Sequence, residues 1–206
     1  MTKKYKFLFH NIIAAPFDGF YEMRRMRKGN VWFVVLMYAL YVLLQIIAYN
    51  FTGYLVNTNN PNNFNILKSI GSSLLPFLLF SIANYSITTL GDGKGFLSDI
   101  IKVLGYSLLP LIVFHVLALF LSWVISNDTA VFYYLFIAFG YIAFAIYAFI
   151  GLIVIHEYNF RQAILYLFLT VVAMMVIIFI CVLLLTLFQN LIGFASSVWR
   201  EIIMRR

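Results

Sequence analysis

Charge is scarce in this chain. Of its 206 residues only 10% are Asp, Glu, Lys or Arg, against about a quarter in a typical globular domain. A water-soluble fold of this size cannot hide a composition that is 64% hydrophobic, so lipid must be the solvent for most of it. Cysteine is nearly absent: Cys181 stands alone in an apolar run, which excludes an internal disulfide and makes a metal cluster an unlikely expectation. Catalytic signatures are missing too. The sequence has no HExxH, no GxSxG and no acidic pair near an apolar segment, so it is read as a non-enzymatic chain without catalytic residues, cofactor or metal. A cleavable leader is not expected, because the early charges continue to Lys28 and are broken by Pro16-Phe17-Asp18-Gly19.

What the sequence does contain is a series of long runs almost free of charge. Five are legible: about Val31 to Val56, Leu67 to Leu90, Val103 to Ile125, Val131 to Ile155 and Gln162 to Phe188. Each has the roughly 20 residues that cross a bilayer, and the last is long enough to tilt. The fold class expected is an all-α integral membrane protein, a bundle of about five transmembrane helices with amphipathic N- and C-terminal segments. Residues 1–30 form the basic amphipathic segment, 31–188 the five-span domain and 189–206 an amphipathic tail with Trp199 at an interface position. A short amphipathic piece around Leu97–Lys102 is expected to precede the third span.

Seven of the fourteen Lys and Arg residues lie before residue 29. A basic head on an apolar body sets topology at an anionic membrane face, which places the N-terminus in the cytoplasm and gives no reason to invoke nucleic acid. Lys94 and Lys102 then fall inside as well, and the Asn-rich stretch 57–63 outside. Arg200, Arg205 and Arg206 fall outside with the tail, against the rule.

Few residues invite a chemical reading. Apart from Lys68 at the very edge of the second span, His115 is the one charged or histidine side chain within the expected spans; it reads as a proton or ligand site or, more simply, as a histidine bonded to a neighbouring helix. Asn84, Ser86, Thr88 and Thr89 cluster at the end of the second span, ahead of Gly91, Gly93, Lys94 and Gly95. Polar side chains there can bond across helices. The glycines allow a tight turn, and their spacing is that of neither phosphate-binding motif. Pro76 and Pro110 lie inside spans and can kink them. Asp99, and His156 with Glu157, read as solvated or interfacial charges.

Three ordered features carry a family resemblance. They are Ala14-Ala15-Pro16-Phe17-Asp18-Gly19-Phe20, the run from Ala83-Asn84 to Gly95-Phe96, and Gly105-Tyr106-Ser107-Leu108-Leu109-Pro110. In order and spacing the chain resembles the Yip domain family of Ypt-interacting membrane proteins, in its bacterial branch. The resemblance implies five spans and a cytoplasmic N-terminus, with the bacterial plasma membrane as location. Eukaryotic members bind Rab-type GTPases and usually carry a long cytoplasmic N-terminal region that this chain does not display, so Rab binding is not carried over. Some bacterial members resemble accessory subunits of ABC transporters. The expectation is therefore an accessory or scaffold subunit packed on another integral membrane protein, an ABC transporter permease being one candidate. The alternatives are a small-solute or lipid channel, and a membrane-shaping or lipid-sensing protein. Asn84, Thr88, Gly93, Lys94, Tyr106, Pro110 and His115 are the candidate interaction or cavity positions.

Overall fold

The computed structural model describes residues 13–25, 29–91 and 93–204, with the side chains of Pro61 and Ile202 left aside. Residues 1–12 and 26–28 of the expected basic amphipathic segment lie outside the described residues, as do Asp92, Arg205 and Arg206. Among the described residues every regular element is helical. They are α1 (Pro16–Arg25), α2 (Val31–Phe51), α3 (Ile66–Leu90), α4 (Leu97–Leu121), α5 (Ala130–His156) and α6 (Phe160–Met204). The last five are long and apolar enough to cross a membrane. The chain is a multi-pass membrane protein.

Local chemistry fixes the helix starts. Asn30 Oδ1 accepts from Trp32 N at 3.1 Å and starts α2. Asn65 Oδ1 accepts from both Leu67 N and Lys68 N and starts α3. These caps satisfy amides that have no carbonyl one turn back.

Helix α4 is the axis of the bundle, packed against α2, α3 and α5. Ile100, Val103, Leu104, Leu108 and Leu111 are almost completely enclosed. Phe20 and Met23 of α1 reach into the same cluster beside Leu152 and Ile155 of α5. Helix α6 leans mainly on α3 and touches α5 only lightly.

Three boundaries differ from expectation. Leu97–Lys102 is no separate amphipathic piece but the opening of α4, because Ile100 and Ile101 pack into the bundle along with the turns that follow. Helix α2 ends at Phe51 instead of continuing to Val56. There Gly53 N donates to Ser122 Oγ at 2.9 Å, which draws the chain against the end of α4. Finally, α6 runs unbroken through Phe188 and Gln189 to Met204; nothing at that junction interrupts the helix, since neither Pro nor Gly occurs there.

The Gly53 contact gives a stability prediction. A Cβ at this position would run into the Ser122 carbonyl, which is backbone and cannot rotate away. Gly53→Ala is expected to cost about 1–3 kcal/mol. The apparent melting midpoint in detergent should fall accordingly; an unchanged midpoint would refute the contact.

Candidate functional site

The chain's polar chemistry gathers at one end of the bundle, where α1, the 91–96 loop and the α5–α6 turn meet. It begins with the end of α3. The Thr88 carbonyl accepts from Gly91 N at 3.2 Å and from Gly93 N at 2.8 Å, which folds the chain back over the last turn. Thr88 Oγ1 donates to the Asn84 carbonyl at 2.7 Å. Side-chain bonds of this kind keep hydroxyls satisfied inside an apolar bundle.

The α5–α6 turn approaches the loop from the other side. Glu157 closes α5 in a left-handed conformation, φ 57° and ψ 38°, which is uncommon for a residue other than glycine. Its carboxylate accepts from Arg24 of α1 at 2.7 Å and from Lys94 of the loop at 2.6 Å. Arg24 also donates to the Val154 carbonyl at 3.2 Å. One carboxylate thus joins three separate stretches of chain. The Lys94 ammonium, with Arg24 beside it, holds this carboxyl below its usual range. A depressed carboxyl stabilises above its unfolded-state pKa and ceases to do so as pH falls through its folded value, so the clamp loosens on the acid side. Glu157→Gln is expected to remove that acid dependence and to speed amide exchange at Gly95, read by hydrogen–deuterium exchange.

Behind the clamp, His156 is 2% exposed and stacks on Tyr158, which stacks in turn on Tyr166 of α6. Gly95 N donates to His156 Nδ1 at 3.3 Å, and Tyr158 Oη donates to the Gly91 carbonyl at 3.4 Å. Deeper still, Asn84 Nδ2 donates to Thr170 Oγ1 at 3.0 Å, a buried tie between α3 and α6. Thr170 passes its own proton to the Tyr166 carbonyl at 2.7 Å. A double-mutant cycle with Asn84→Ala and Thr170→Val should give a coupling of about 0.6 kcal/mol and no more than about 1.7, the range for such bonds between membrane helices. Additive losses would deny the tie.

Beneath α1 a polar cavity of about 410 Å³ opens, with Arg24, Lys94 and Lys102 on its walls together with Ser98 and Asp99. Lys102 pairs with Asp99 at 3.4 Å.

Asn84, Thr88, Gly93 and Lys94 therefore share one site. The other three candidates lie elsewhere. Tyr106 is buried; its hydroxyl accepts from Asn30 N at 3.2 Å and its ring stacks on Phe33. It anchors the start of α2 to α4. Pro110 is half-buried within the continuous α4. His115 donates from Nδ1 to the Leu111 carbonyl one turn back at 3.1 Å and meets Tyr141 edge-on. At ~1.5 Å per residue, His115 stands ~27 Å along α4 from its start at this end, whereas Asn84 stands ~9 Å from the end of α3. The two occupy different depths.

The residues that complete the site, Arg24, His156, Glu157, Tyr158 and Thr170, are not singled out by the sequence. One signal was available: if spans alternate, Arg24, Lys94 and Glu157 all fall on the same face, and three scattered charges at one bundle end are natural partners.

A bundle of five apolar helices with a short α1 tucked under one end, and the glycine loop of the resemblance at that same end, calls for comparison with known families. The Yip1 domain model matches residues 11–182. The chain belongs to the Yip1 domain family. Neither the curated proteins nor the solved structures contain a match. The matched region takes in the whole site, from Arg24 to Thr170, and it ends near Ile177, the last half-buried residue of α6.

Proposed function

We propose that this Yip1-domain protein is a non-enzymatic accessory or scaffold subunit that binds another integral membrane protein through the second half of α6. One observation carries the reading. From Ile178 to Met204 every described residue of α6 is exposed, including Leu183, Leu184, Leu185, Leu187 and Phe188. Helix α6 has 45 residues, or ~67 Å at the usual rise. The hydrocarbon core needs ~30 Å, and residues 160–177 supply ~27 Å of it. About 40 Å of helix is left over, apolar on all sides up to Phe188 and amphipathic beyond it. Lipid covers ~30 Å of this helix, whereas its apolar run to Phe188 alone measures ~43 Å, so part of it outreaches the hydrocarbon core and calls for other cover, which an apolar partner with its own spans supplies. A transporter permease is the candidate the family resemblance offers.

Location follows the same reasoning. Arg24, Lys94 and Lys102 collect at the α1 end of the bundle, which the bias of basic residues toward the cytoplasm assigns to that side; a bacterial plasma membrane fits. The test is purification of the full chain from native membrane in mild detergent, with mass spectrometry of the eluate. A stoichiometric membrane protein is expected. Recovery of the chain alone would overturn the proposal.

A second reading has its own support. The polar cavity sets three cations against the one carboxylate of Asp99 on its walls, with Glu157 paired to two of them from outside it, a positive balance at the end of the spans that suits an anionic headgroup. Native mass spectrometry with added phosphatidylglycerol or phosphatidylcholine discriminates: preferential retention of the former, lost in Lys102→Gln, would favour lipid sensing.

A further inference from the structure

Two polar atoms of the site are enclosed without a hydrogen-bond partner among the described residues: Asn84 Oδ1 and His156 Nε2. Their residues are 3% and 2% exposed. Orphaned polar atoms inside an apolar bundle are costly and call for an explanation.

Both residues line the same small cavity, between α3, α5 and α6. Its remaining walls are largely apolar, among them Phe149, Leu152 and Leu167. The space open to the centre of a water-sized sphere is about 10 Å³, which is the room of one water.

The chemistry of the two atoms is fixed by their neighbours. Gly95 N–H donates to His156 Nδ1, so in the neutral ring the proton sits on Nε2, which faces the cavity as a donor. Thr170 Oγ1 spends its proton on the Tyr166 carbonyl, so it can only accept from Asn84; the amide nitrogen must be the atom facing it. That leaves the Asn84 oxygen as an acceptor. The cavity therefore offers one donor and one acceptor to a ligand of one heavy atom. Ammonium cannot accept from Nε2–H, and a halide cannot donate to the amide oxygen. Water does both.

We propose that a single buried water molecule joins His156 Nε2–H to Asn84 Oδ1. It completes an unbroken chain of donors running from Gly95 N–H through the imidazole, the water, the Asn84 amide and Thr170 to the Tyr166 carbonyl. The water holds the histidine in the tautomer whose Nδ1 can accept from the loop. The glycine loop at the surface and helix α6 are thereby joined through the interior of the bundle.

The test is solid-state NMR of the full chain in lipid vesicles with 15N-labelled histidine, the His156 signals being assigned by their loss in His156→Gln. The other buried histidine is an internal reference: His115 donates from Nδ1, so the two rings should show opposite tautomers. Expected are a His156 protonated at Nε2, a water cross-peak at that proton, and loss of the cross-peak in Asn84→Leu. A wild-type His156 protonated at Nδ1, or an Nε2 proton with no water cross-peak, would overturn the proposal whatever the variants do. Retention of the cross-peak in a folded Asn84→Leu protein would also overturn it.

Discussion

Gly93→Ala is expected to lower the apparent melting midpoint of the detergent-solubilised protein by several degrees, while Gly193→Ala leaves it unchanged. The same methyl group is added in both. At Gly93 it meets the Tyr158 hydroxyl, His156 Nδ1 at 2.8 Å and Thr88 Cβ at 2.8 Å. At Gly193 it meets nothing within 4 Å. All three obstacles at Gly93 are themselves held, Tyr158 by its bond to the Gly91 carbonyl, His156 by Gly95 N and Thr88 by its bond to the Asn84 carbonyl, so relief requires moving the loop. Overpacking of this type costs about 1–3 kcal/mol. For chains of this size each kcal/mol shifts the midpoint by about 2–4 °C. A drop of roughly 2–12 °C for Gly93→Ala follows from the two together. Gly193 lies in a helix segment free of the bundle, where alanine favours the helix and touches nothing. Equal midpoints for the two variants would show that the loop is not seated as described.

The contrast between these glycines reflects what a sequence can display. The spans were legible because apolar runs of 20 or more residues have one physical explanation in a chain with so little charge. The caps at Asn30 and Asn65 also stand in plain view. The site was half legible. Asn84, Thr88, Gly93 and Lys94 are neighbours along the chain and read as a polar cluster. Their partners, Glu157, His156 and Thr170, are 60 or more residues away along the chain, and no local pattern announces them. His156-Glu157 looked like an ordinary interfacial pair because its role depends on Arg24 and the loop converging on it. Conversely, His115 looked distinctive as a lone ionisable group, yet its bond to the Leu111 carbonyl is the quiet outcome for a histidine in a helix. The end of α6 is not legible for another reason. The change from apolar to amphipathic sequence at Gln189 marks a change of surroundings, and a helix can pass through such a change without a break.

Removal of residues 183–206 should leave the bundle folded and abolish retention of the partner membrane protein. The two halves of α6 do different things. Its first half is fixed to α3 by the bond from Asn84 to the buried Thr170, and to the site by Tyr166 stacked on Tyr158. Its second half makes no buried contact in the monomer: every described residue from Ile178 on is exposed. A chain ending at Val182 keeps 160–182 as a span of ~34 Å, enough to cross the hydrocarbon core, and keeps the whole of the matched Yip1 domain region. Its melting midpoint should therefore stay within about 2 °C of the full chain, because no packed side chain is lost. Partner retention should fall to background, because the apolar helix that requires cover is gone. If the truncated chain aggregates, the second half of α6 supports the fold, against the division between the two halves; if it still retains the partner, the contact lies on the part of the bundle that remains. Either result would overturn the assignment of a purely recruiting role to the second half of α6, whereas a stable bundle without its partner would separate the shared domain from the segment that recruits.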